Sequence, residues 1–352
     1  GRAQAIAREI AELRQALVAD PLDVARLQRL KEFLDGQAAA GPPGAGEVGA
    51  PVAQVLALLG QGAEPADAPQ GRRRLGAGLS ATAFWDRLAL PEGSGFLSEI
   101  WAVIAAAVAE LHRPDASAIS RLGLSRQNRV APGSEPRLGW VEAAAVALGV
   151  EGLTCYASPQ PLGEQGDAAV IALELPDPVL VFDRAALAGG ASARFRFGRA
   201  LGLLRQRATV LDRLGGVGQT DDLRHLFLAA GAIAGGSRSD DPGAEAPAAI
   251  VKALGKVLAR KDRKTLTLQA SRFAFEASDV EAWRRGILGT ADRLGLVIGG
   301  DVAAAARVAA NAHGVVVGAT ELRASPSAME LLRFALGVAY QELRVEAGGV
   351  AG

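Results

Sequence analysis

The sequence predicts an α+β fold dominated by helix, on three observations. Ala and Leu supply most of the apolar residues while aromatics make up only 5% of the chain, a balance that favours helix over sheet. Apolar positions recur at helical spacing along most of its length. Strand-like runs are confined to one stretch, between Leu153 and Phe182, where prolines and glycines cut them short. The 352 residues are 49% apolar, enough to bury a core and to form two or three domains, or one large domain with an appendage.

From the N-terminus, Ile6, Ile10, Leu13 and Leu17 mark a helix over 2–19 that Asp20-Pro21 ends. Asp23 is placed to cap a second helix, carrying Val24, Leu27, Leu30 and Phe33 and stopping at Gly36. A Gly/Pro-rich connection over 38–46 leads to a third helix near 48–59. The stretch 61–74 reads as a surface linker. Further helices are expected near 80–88, 96–111, 116–122 and 140–148. Three short strands, 153–157, 168–174 and 179–182, are expected to form a small antiparallel sheet. Helices then follow over 191–206, 219–233, 245–259, 264–275, 278–296, 301–312 and 326–345, before a flexible tail at 347–352.

Composition excludes several classes. Basic and acidic residues balance at 38 each, so no net field draws the chain to nucleic acid or acidic lipid. The most apolar run, 100–111, is shorter than the roughly twenty residues a bilayer span needs, and it carries Glu110. No secretory signal is evident, and a lone Cys155 forms no intramolecular disulfide and no multi-cysteine metal site. A cytoplasmic location is the default expectation. Only five basic residues are Lys, an Arg bias that suggests a GC-rich bacterial gene.

Two segments stand out. Residues 195–206 read FRFGRALGLLRQ, and 290–296 read TADRLGL. In their order and surroundings they resemble the landmarks of gluzincin metallopeptidases, in the family of the heat-shock membrane peptidase and the prenyl-protein CAAX endopeptidase. In that family one helix carries His-Glu-x-x-His, its His pair holding zinc and its Glu activating water. A later helix supplies a third ligand, a Glu, four residues before an Asp. The resemblance spans roughly 150–315 and implies a zincin-like domain. By the same resemblance, Pro178 to Asp183 corresponds to the edge strand that takes up substrate, and Gly202 to a close helix contact.

The chemistry is missing from every matched position. Arg199 stands at the first His, Ala200 at the Glu, Leu203 at the second His and Leu288 at the third ligand. A guanidinium is protonated at any working pH and offers zinc no lone pair, and Ala and Leu offer no donor. Neither a metal nor a cofactor is expected. Asp292 keeps the family's residue, which by the resemblance supports a ligand His; here it is expected either to face Arg199 in a bidentate ion pair, with Leu203 and Leu288 extending a dry core across the former site, or to be solvated with Arg199 pointing outward.

The junction at 16–25 (ALVADPLDVA) resembles the boundary between tetratricopeptide repeats. The chain is thus expected to comprise a tetratricopeptide-like segment at 1–60, the linker at 61–74 and a catalytically inactive peptidase-like domain at 75–346. Other motifs are weaker. The loop at 214–220 lacks the Lys of a phosphate loop, and the basic run from Lys252 to Lys264 reads as a solvated helix end. Ser125 lacks a nucleophile elbow, the acidic pairs at 221–222 and 240–241 lack the ligand spacing of a calcium loop, and His112, His225 and His313 lie far apart. The expected role is a non-enzymatic scaffold that binds protein partners and neither nucleic acid nor a membrane. The rival expectations are a regulatory module binding a ligand or peptide in the vacated pocket, and a hydrolase with an unrelated site.

Overall fold

The computed structural model describes residues 2–40, 48–62, 79, 82–163, 169–214, 220–235, 246–273, 276–311 and 316–347. Outside these lie nearly all of the expected linker and tail, the centre of the 214–220 loop, the acidic pair at 240–241 and His313. Among the described residues the chain is mainly helical with one small sheet.

The first three helices are α1 (Arg2–Ala19), α2 (Val24–Ala40) and α3 (Ala50–Leu58). Asp20 Oδ1 accepts from Leu22 N at 3.2 Å in the turn, and Asp23 Oδ1 from Arg26 N at 3.0 Å, capping α2 as its sequence predicts. Gly36 does not stop α2, which runs four residues further; an exposed glycine weakens a helix without breaking it. Leu17, Leu27, Leu30 and Val55 share one buried cluster with Leu331 and Leu332 far along the chain.

Next come α4 (Thr82–Leu88), α5 (Phe96–Leu111), α6 (Ala116–Arg121) and α7 (Gly139–Ala147). The sheet contains β1 (Arg129–Val130), β2 (Thr154–Ala157), β3 (Val170–Leu175) and β4 (Asp177–Phe182), in the order β1-β2-β4-β3. It is mixed, which corrects the expected antiparallel sheet: β2 pairs with β4 in parallel. The β3–β4 hairpin enters with β4 inside and β3 at the rim. The strand at Pro178–Phe182 is therefore interior, bonded on both sides, and is not the edge strand the resemblance implies. Strand alternation sends Leu180 and Phe182 to the main core, and Val179 and Val181 to a smaller cluster beneath Leu122, Leu124 and Leu162.

The remaining helices are α8 (Arg184–Leu187), α9 (Ala191–Arg205), α10 (Thr209–Arg213), α11 (Thr220–Ala234), α12 (Ala248–Val257), α13 (Arg260–Leu268), α14 (Ala277–Gly299), α15 (Val302–Ala309), α16 (Ala319–Ala324), α17 (Pro326–Leu336) and α18 (Val338–Glu346). The helix expected at 264–275 begins earlier, because the chain turns extended at Leu258 and Ala259 and restarts at once. The helix expected at 326–345 is two, divided where Gly337 adopts an extended conformation. Asp301 caps α15 by accepting from Ala304 N at 2.8 Å, and Gly300 ends α14 at φ 75°.

Two large apolar clusters result. One joins α1–α4, α7, one face of the sheet, α15, α17 and α18. The other gathers α5 and α10–α13 around Trp101, Phe227 and Trp283. Helices α9 and α14 contribute to both and lie between them. No described helix is long and apolar enough to cross a membrane.

Candidate functional site

The α9–α14 crossing is close because both helices carry small residues on the facing sides. Gly198 and Gly202 on α9 meet Gly295 and Ala291 on α14, residues spaced by four on each helix so that they share one face, and Gly299 lies against the Phe195 backbone. A Cβ on Gly198 would lie 2.9 Å from Gly295 Cα, and one on Gly295 only 2.7 Å from the Phe195 carbonyl oxygen. Glycine is required here for space, as expected for Gly202, whose added Cβ would lie 3.0 Å from Ala291 Cα.

Arg199 occupies this crossing. Its Nε donates to Asp292 Oδ1 at 2.6 Å, which joins the two residues the sequence singles out. The fork at the end of its side chain turns elsewhere: Nη1 and Nη2 donate to Asp212 Oδ2 and Oδ1 at 3.0 and 2.7 Å. The bidentate partner is thus Asp212, which takes both end N–H groups, while Asp292 receives a single bond from Nε. Asp292 is 6% exposed, so its charge depends on Arg199 for compensation.

Two carboxylates share one guanidinium, and they respond in opposite directions. Burial pushes the Asp292 carboxyl up, against the pull of Arg199. Burial also acts upward on Asp212, but Arg199, with Arg284 and Arg213 nearby, outweighs it and holds this carboxyl below its ordinary value. Burial would weaken the Arg199 proton, yet the two carboxylates bind it more firmly than in water. The arrangement ties α9, α10 and α14 together, with both carboxylates engaged by the Arg199 guanidinium.

The other matched positions are apolar and packed. Ala200 faces the first cluster, while Leu203, 2% exposed, lies in the second with Ala291. Leu288 is half-buried against the same second cluster. Among the described residues no group of three His, Cys, Asp or Glu side chains is placed to hold a metal ion.

Sequence reasoning missed Asp212. It lies on α10, where no element is expected, and it reaches Arg199 only because the chain reverses after α9. That reversal closes with Ala208 N donating to Leu203 O and Arg207 N to Leu204 O, the paired bonds of a Schellman cap. Such a cap puts its turn residue in the left-handed region, usually as glycine. Here Arg207 adopts φ 54°, at a cost of about 1 kcal/mol.

Beside this turn is a second polar feature, a cavity of about 420 Å³ between α5, the C-terminal end of α9 and the β3–β4 hairpin. Glu174 lines it, with its side chain only 14% exposed. Thr209 Oγ1 donates to Glu174 Oε2 at 3.0 Å, and Arg207 Nε lies 3.7 Å from Oε1. Burial raises this carboxyl above its usual range, and Thr209 and Arg207 only partly oppose it. One signal in the sequence was available: Glu174 follows Val170 and Ala172 on the inward register of an otherwise apolar strand. The remaining motifs converge on nothing. Ser125 Oγ is buried without a hydrogen-bond partner, and His112 is held below its ordinary pKa by burial and by Arg213.

Comparison with family models, with curated proteins and with solved structures finds no match for this chain.

Proposed function

We propose that this chain is a non-catalytic scaffold for protein partners, built on a gluzincin-like pair of helices in which a salt-bridge triad stands where a metal would. The observation that carries this reading is the bond from Arg199 Nε to Asp292 Oδ1 at 2.6 Å, at the positions matched to a zinc ligand and to the aspartate that supports the ligands. Leu203, buried at the second ligand position, supports it, as does the close glycine contact between the helices. With β4 interior, a partner peptide that adds as a strand would use the free side of β3 at the rim. The tetratricopeptide-like helices α1–α3 offer a second partner surface in this reading.

The test is metal analysis with a peptidase assay on the purified chain in excess zinc. The expected outcome is substoichiometric zinc and no cleavage of unstructured protein substrates. One equivalent of zinc, lost in Asp292→Ala, or cleavage abolished by a chelator, would overturn the reading.

A further inference from the structure

The cavity beside β3 carries both signs of charge on a wall that is polar and apolar in nearly equal parts, a combination the Arg199 triad does not explain. Its size falls in the range of small-ligand sites, about 300–1,000 Å³. Ala109, Val150 and Leu204 supply apolar surface. Glu110, Glu151 and Glu174 bring three carboxylates, and Arg205 and Arg207 bring two guanidinium groups. Arg205 is held in place: its guanidinium stacks over the Trp85 ring at 5.7 Å and lies near Gly149. The cap fixes the backbone of Arg207 in the left-handed region, and its side chain, 55% exposed, reaches toward Glu174.

Arg207 is the more telling of the two. Glycine is the usual residue at its position, so an arginine there sacrifices stability for what its side chain does. That side chain lines the cavity and faces Glu174. The chain also keeps Glu174 on the inward register of β3, where an apolar residue would pack without desolvating a charge. Two locally unfavourable choices thus meet in one cavity.

We propose that this cavity binds a small zwitterion with an apolar side chain, of the class of a free aliphatic amino acid. A purely cationic ligand would face Arg205 and Arg207, and a purely anionic one would face three carboxylates. A molecule carrying an ammonium and a carboxylate complements both sets, and its aliphatic part covers Ala109, Val150 and Leu204. The site is separate from the Arg199 centre: Leu204, Arg205 and Arg207 line it, whereas Arg199 and Gly202 face α14.

Calorimetric titration of the full chain with L-leucine, L-valine and L-methionine, then with isopentylamine and isocaproate, tests this. The last two keep the leucine side chain but lack the carboxylate and the ammonium respectively. Saturable binding is expected for at least one of the amino acids, with each analogue at least about tenfold weaker. Arg207→Gly and Glu174→Gln are each expected to weaken amino-acid binding by about tenfold or more. Glycine suits the left-handed turn, so Arg207→Gly is expected to keep a cooperative thermal transition, which separates lost binding from lost folding. No saturable heat with any of the three amino acids would overturn the proposal, as would isopentylamine binding as tightly as leucine, or both variants binding like the parent chain.

Discussion

Arg199 and Asp292, 93 residues apart in sequence, are joined by a 2.6 Å bond from Nε to Oδ1 across a close helix crossing between the two apolar clusters. The same guanidinium holds Asp212 by two further bonds, so α9, α10 and α14 meet at one side chain. Glycines bring the helix backbones together, and the triad then fixes their register. Neither device works alone, since helices held apart by Cβ atoms would separate the charges.

Removing the shared cation of this triad leaves the buried Asp292 carboxylate uncompensated. Arg199→Met is expected to lower unfolding free energy by about 3 kcal/mol, as for other broken buried pairs. The combined change Arg199→Met, Asp212→Asn and Asp292→Leu is expected to cost less than the single one, because no charge remains to be desolvated. Urea denaturation of the two variants decides; equal or reversed costs would refute the buried-pair account.

Glycines in two helices have opposite expected effects. At Gly295 a side chain would collide with the backbone of α9, so Gly295→Val is expected to destabilise by at least about 2 kcal/mol. At Gly36, inside α2, nothing lies within 4 Å of an added Cβ, and Gly36→Ala is expected to stabilise by about 0.5–1 kcal/mol. Thermal unfolding of both variants checks the signs.

Two of the shifted carboxyls should contribute to the acid response with opposite signs. Folded Asp212 stays ionised where the unfolded chain has already taken up the proton, so its stabilisation is complete above the ordinary carboxylate pKa of about 4 and is lost as pH falls through the depressed value. Glu174 acts oppositely. Its folded form keeps the proton longer, so its contribution declines as pH rises from the ordinary value through the raised one. Asp212→Asn is expected to flatten the loss of stability below about pH 4, and Glu174→Gln the decline above it. Unfolding free energy followed against pH reads both slopes.

Cys155 on β2 is expected to resist thiol reagents in the folded chain. Burial pushes its thiol up to about 11, with Glu142 adding in the same direction. Labelling by a chromogenic disulfide should be slow at neutral pH and become rapid in denaturant; fast labelling without denaturant would contradict the burial.

Much of the helical framework was legible because its signals are local. Asp23, Asp115 and Asp301 cap helices expected from their sequence. The meeting of Arg199 with Asp292 was legible through two separated motifs. Asp212 was not: its role depends on a turn at Arg207, a position where sequence gives no glycine to announce a left-handed cap. The direction of β2 was also hidden, because strand pairing depends on which side of β4 the β3 hairpin leaves open.

The sequence by itself determined the positions of most helices and the place of the sheet in the chain, since capping and apolar periodicity depend on residue chemistry and short-range spacing. Only the tertiary structure decided that the Arg199 fork belongs to Asp212, that β4 is interior, and that Glu174 and Arg207 share a cavity. Those relations join residues distant in sequence, and hydrogen-bond geometry and packing select among pairings that local spacing leaves equivalent.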